Sequence, residues 1–169
     1  MKMCLTSSIA AAWVAGAFPA AAAAADCLIE RAVYAEPEAG VELRFDASGE
    51  NTPLSHRFSL VSSNAKMKVD GHVLYDPEIE RPVAMALDNC PEGDVTGADI
   101  AACTIWKGII YAAGKATGQV DLIPGEGADA PDSLILPGFG PAIAASTFGA
   151  AMTAMPWDVF KFKQCSPKA

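Results

Sequence analysis

The sequence is poor in histidine, in positive charge and in aromatic rings. Its 169 residues hold two histidines, 12 Lys and Arg against 20 Asp and Glu, and 8% aromatic residues. A formal net charge of -8 argues against a nucleic-acid ligand, because phosphate neutralisation needs clustered Lys and Arg. The cationic cluster at the end, Lys161, Lys163 and Lys168, reads as a solvated face. No G-x-S-x-G elbow, H-E-x-x-H helix, phosphate-binding glycine loop or dinucleotide fingerprint occurs, so no hydrolase, metalloprotease or nucleotide site is written in a local motif. There is no C-x-x-C pair, no internal repeat and no biased linker that would divide the chain.

What is present at the start is an export signal. Lys2 precedes an apolar stretch through Ile9, Trp13, Val14 and Phe18, followed by Ala20 to Ala25 and then Asp26. A positive start, an apolar middle and a small-residue exit define a secretory signal peptide, and Ala23 and Ala25 satisfy the A-x-A rule. Residues 1–25 are therefore expected to be removed, leaving a single globular exported domain over 26–169, a length that suits one domain. The apolar middle is shorter than the roughly 20 residues of a membrane span. Asp26, before Cys27, stands where a lipid-attachment signal needs a small residue. The alanine-rich leader is similar to bacterial export signals, which implies the periplasm, with full secretion as the alternative.

Cys27, Cys90, Cys103 and Cys165 follow that leader. An even count in an exported chain reads as two disulfides. Of the possible pairings, spacing favours Cys90–Cys103 as a short local loop and Cys27–Cys165 as a tie between the ends. The rival reading, a metal or redox pair, lacks the C-x-x-C spacing.

Hydrophobic periodicity then predicts strands. Val41, Leu43 and Phe45 alternate with Glu42 and Arg44, the mark of a strand with one wet face. His56 to Ser62 is a second strand with Phe58 and Leu60 inward. Lys66 to Tyr75 reads as a hairpin turning at Asp70-Gly71, a favoured two-residue turn, or else as one strand through Gly71. Pro82 to Leu87 places Val83, Met85 and Leu87 on one face. Thr96, with Asp99 three residues on, reads as the N-cap of a short helix. Ile109–Ala113, apolar on both faces, is expected to be a central strand, joined by a glycine turn to Gln119–Ile123. Phe160 and Phe162 share one side of a last strand. The expected architecture is a β-rich α+β fold: one small domain, an antiparallel sheet with one short helix, and two disulfides.

Three stretches are candidates for function. Asp88 to Asp99, taken as twelve positions, resembles a helix-loop-helix calcium loop, with Asp88 first, Gly93 sixth and Asp99 twelfth. Its Asp-Asn-Cys-Pro opening is also similar to thrombospondin calcium repeats. The resemblance implies Asp88, Glu92, Asp94 and Asp99 as calcium ligands. It breaks at Cys90, where a carboxylate is wanted, and at Pro91, and the plainer reading is a disulfide-closed turn leading into a capped helix. His56 and His72 are the histidines available as a general base for a hydrolase, with Ser55, Ser59 or Ser62 nearby in sequence. Asp76, Glu78 and Glu80 read as a solvated connection.

The stretch from Ser133 to Trp157 carries no charged side chain, and Pro137, Pro141 and Pro156 with several glycines break it repeatedly. Core packing is its default reading. The functional alternative is an apolar surface that docks a partner through Phe139, Phe148, Met152 and Met155. Taken together, the sequence predicts a small disulfide-stabilised periplasmic binding or accessory protein of unknown ligand. It is expected to be non-catalytic, without cofactor, nucleic acid or membrane span after signal cleavage, and with a possible periplasmic protein partner. A hydrolase using His56 or His72 and a calcium-binding domain are the alternatives.

Overall fold

The computed structural model describes residues 27–62, 68–114 and 118–167. The signal-peptide reading falls outside the described residues. A 3-10 turn, Ile29–Arg31, leads into β1 (Ala32–Glu36), β2 (Val41–Asp46), β3 (Leu54–Ser62), β4 (Lys68–Asp76) and β5 (Arg81–Leu87). Helix α1 (Gly97–Cys103) precedes β6 (Thr104–Gly108), β7 (Tyr111–Ala113), β8 (Val120–Leu122) and β9 (Ser133–Ile135). Two further short helices, α2 (Phe139–Ala144) and α3 (Thr147–Ala150), come before β10 (Val159–Cys165).

The strands form one ten-stranded sheet in the order β6-β5-β4-β3-β2-β1-β10-β9-β7-β8. The pairings are antiparallel throughout. The chain length between β6 and β7 dictates the shape. In a flat sheet these two strands, eight places apart in the order, would stand roughly 38 Å from each other. Gly108 and Tyr111 are joined by Ile109 and Ile110 alone, which reach at most about 11 Å. The sheet must therefore roll, and it does so as a half-barrel.

The concave side is the core. Val41, Leu43 and Phe45 are buried while Arg44 is exposed, as their alternation predicts. One cross-strand row shows how the interior is filled. Phe58, Gly71, Ala86 and Trp106 lie opposite one another across β3, β4, β5 and β6, two large rings at the ends and two small residues between. A Cβ on Gly71 would stand 2.1 Å from the Phe58 ring, so this glycine clears space for an aromatic side chain. Asp70-Gly71 is consequently no turn, and Lys68–Asp76 is one continuous strand. The same row shows which face of β5 turns inward. Ala84 and Ala86 point inward at zero exposure, while Met85 and Leu87 lie half-buried on the outside.

Ile109–Ala113 shrinks to the three-residue β7, which sits next to the end strand β8 and not in the middle of the sheet. Thr96 caps α1 as expected: its hydroxyl accepts the Asp99 amide while the Asp99 carboxylate accepts the Thr96 amide. Both predicted disulfides are formed. Cys27–Cys165 has a Cα–Cα distance of 5.6 Å and Cys90–Cys103 one of 5.1 Å, within the usual range.

Helix α2 fills the open side of the half-barrel. Phe139 lies edge-on to Trp106 at 5.2 Å and to Phe160 at 5.6 Å. Asp158 orients this helix by accepting the Gly138 amide at 2.7 Å and the Gly140 amide at 2.9 Å. Gly138 has a φ of 72°, a left-handed entry that a side chain would disfavour.

Candidate functional site

The two histidines lie on opposite faces of the rolled sheet. His56 is 2% exposed and stacks edge-on against Phe45. Its Nε2 is 2.8 Å from the Pro124 carbonyl and its Nδ1 is 3.1 Å from the Ser55 hydroxyl. A carbonyl cannot donate, so Nε2 carries the proton. The Ser55 hydroxyl donates to the Val73 carbonyl at 3.2 Å and lies beside Nδ1. His56 thus holds the 124 loop to β3 through Nε2. His72 faces outward, beside Arg57 and Met85 by strand register.

Burial lowers the pKa of His56, against weaker opposing pulls from the Pro124 carbonyl, Glu126 and Glu30. Burial lowers that of His72 as well, followed by Arg57, with Asp70 opposing. A depressed histidine gives stability that is complete above the unfolded value of about 6.5 and is lost as pH falls below it, because the unfolded chain takes up the proton first. Thermal melts between pH 7.5 and pH 5 are therefore expected to shift downward on acidification, with a slope of at most ~1.4 kcal/mol per pH unit from His56. A flat profile over that interval would contradict this account.

The Asp88–Asp99 stretch is a turn and a cap. Thr96 donates its hydroxyl to the Asp99 carboxylate at 2.7 Å and its amide at 2.9 Å. These bonds, the hydroxyl first, hold Asp99 below the usual carboxylate range. Asp88 accepts the hydroxyl of Thr147, which ties this loop to α3. Cys90 is bridged to Cys103, and Glu92 and Asp94 are exposed. Among the described residues no three His, Cys, Asp or Glu side chains are grouped as a cation requires, so the structure does not assemble the calcium ligands that the resemblance implies. Asp76 accepts the Glu78 amide at 2.9 Å in the β4–β5 turn, and Glu80 is exposed beside it.

The proposed contact residues separate into two groups. Phe139 and Phe148 are 0% and 1% exposed. They belong to the core, because α2 and α3 turn their rings into the half-barrel, and they cannot form a contact surface. Met152 is partly buried against that core. Met155 alone is well exposed, at 58%.

A different apolar surface emerges from strand register. Val159, Ile135, Tyr111 and Leu122 lie opposite one another across β10, β9, β7 and β8. The next row holds Lys161, Ser133, Ala113 and Val120. In β10, β9 and β7 the chain neighbours Phe160, Leu134 and Ala112 are buried, so there these rows face outward; in β8 the neighbour Asp121 is exposed as well. Trp157 precedes Val159 at the same parity and is 66% exposed. Its indole N–H donates to Glu38 at 2.9 Å, which fixes the ring edge and leaves its body to solvent. A polar rim follows: Glu42 pairs with Lys163 and, at 2.7 Å, with Arg44. The Lys163 contact leads in holding Glu42 below its ordinary pKa. The sequence signal for this face was the alternation of Val159–Lys163 extended back to Trp157.

No helix among the described residues is long and apolar enough to cross a membrane. No protein family, curated protein or solved structure matches the chain.

Proposed function

We propose that the chain is a small disulfide-stabilised accessory protein of the periplasm that binds another protein without catalysing a reaction. The observation that carries this reading is the outward apolar row Val159–Ile135–Tyr111–Leu122, extended by Trp157. Aromatic and aliphatic side chains ringed by charge are the usual anatomy of a docking face. The two disulfides suit an oxidising compartment, and the export signal agrees with it. Full secretion is the alternative location. A non-catalytic role is supported by His56, whose Nε2 is bonded to the Pro124 carbonyl and whose Nδ1 lies beside the Ser55 hydroxyl.

The test is crosslinking in cells that express the full chain, followed by identification of what is captured. Trp157→Ala and Val159→Lys are expected to weaken a recovered partner by about 30-fold, as loss of a central aromatic anchor does. Both should change folding stability by no more than about 0.5 kcal/mol, as exposed substitutions do. A partner retained at full strength by both variants would exclude this face as the contact.

A further inference from the structure

We infer that the groove between α1 and β6 is a binding site for a single-chain amphiphile with an anionic headgroup. This site lies apart from the docking face of β10–β9–β7–β8 and does not depend on it. The groove has a volume of about 430 Å³, lined by Met85, Ile100, Ala101, Ile105, Trp106 and Lys107, with Gly97 and Thr104 completing it. That volume is in the range of small-molecule sites.

Charge decides what fits. Lys107 is the one ionisable side chain in the lining, in a chain of net charge -8. It is exposed and takes part in none of the salt bridges among the described residues. The remaining side-chain walls are Met85, Ile100, Ala101 and Ile105 with the Thr104 hydroxyl beside them, while the Trp106 ring turns inward onto Phe139. An apolar trough with one free ammonium at its end matches an acyl chain that ends in a carboxylate or phosphate. Lys107 also stands in register with Met85 and His72, and His72 with Arg57, so the basic groups of β3, β4 and β6 share one outward file. The groove at the opposite flank of Met85 and Lys107 carries Asp76 and Glu78, which would repel an anion. The headgroup therefore sits at Lys107 and the chain runs toward Ile100.

The walls are held before any ligand arrives. The Cys90–Cys103 bridge anchors the end of α1. Thr104 donates its hydroxyl to the Ile100 carbonyl at 2.7 Å, and the Trp106 indole N–H donates to the Pro137 carbonyl at 3.2 Å. A preformed groove avoids the ordering cost that weakens binding by mobile sites.

The probe is monomeric decanoate, titrated into the full chain labelled at its methionine methyls, with the Met85 signal identified by its loss in Met85→Leu. The Met85 signal is expected to shift saturably while that of Met155 stays in place. Affinity should rise about two- to fourfold for each added methylene from octanoate to dodecanoate. Lys107→Glu should weaken binding by about tenfold, a change of ~1.4 kcal/mol, while Lys107→Arg retains it. Decyltrimethylammonium should leave the Met85 signal unmoved. Equal binding of the cationic analogue, unchanged affinity in Lys107→Glu, or association with anionic lipid vesicles but not with decanoate would each overturn the inference.

Discussion

Replacing Cys27 and Cys165 together by alanine is expected to lower stability by about 5 kcal/mol, the chain-entropy value for a loop this long. The bridge joins residues 138 apart in sequence. It sits where the fold is hardest to close: β1 must find β10, with Ala32 opposite Cys165. Around it the ends are stitched by hydrogen bonds. Ser166 donates its amide to the Arg31 carbonyl at 2.7 Å, Arg31 returns a guanidinium N–H to the Ser166 carbonyl at 2.7 Å, and Ala130 donates to the Cys27 carbonyl at 2.7 Å. Those bonds form only after the ends have met, so they cannot replace the covalent constraint on the unfolded chain. The Cys90–Cys103 bridge spans 13 residues, and its removal should cost about 3 kcal/mol by the same reasoning. Against a typical total of ~5–15 kcal/mol, the first double variant approaches the threshold of folding and the second does not. Urea unfolding of the two variants checks the order. A larger loss from the shorter bridge would contradict it.

What was legible in the sequence was local. The alternation of Val41–Phe45 gives both faces of β2 because its own outer residues Glu42 and Arg44 reach solvent, and a period of two survives on a strand with one side in water. Thr96 and Asp99 specify α1 by a bond pattern that needs no distant partner. The disulfide pairing followed from spacing. Each of these features is decided by residues within a few positions, or by a covalent preference that acts on loop length.

What was not legible depends on contacts across the sheet. Ala32–Glu36 is almost wholly buried on both faces, so it has no wet side and no alternation to read. Gly71 gave a turn signal because glycine tolerates turns, yet its reason is the Phe58 ring on the adjacent strand. Val83, Met85 and Leu87 share one face by alternation, but alternation does not say which face is the core. The inward positions opposite large rings call for alanine instead, and only the register with Phe58 and Trp106 reveals that. The proposed docking face has the same character. Val159, Ile135, Tyr111 and Leu122 come from separated segments, and they meet only because β10, β9, β7 and β8 pair side by side in the sheet.

Phe139→Ala is expected to cost about 3–5 kcal/mol, the usual loss when a buried phenylalanine is truncated. The ring has zero exposure and is wedged between Trp106 and Phe160, edge-on to both with interplanar angles of 79° and 82°. Collapse into the vacated space is restricted from each direction. Trp106 is held at its indole N–H by Pro137. Phe160 belongs to a strand paired on two sides, and α2 is pinned through its first amides to Asp158. A cavity that its surroundings cannot fill retains most of its cost. Phe139 and Trp157 belong to the same uncharged stretch of sequence, but the structure assigns them opposite consequences: truncation of the first should unfold the chain at lower denaturant, while truncation of the second should leave unfolding in place and affect binding. Equilibrium unfolding of Phe139→Ala beside Trp157→Ala measures both, and equal stability for the two variants would mean that α2 does not close the half-barrel as described.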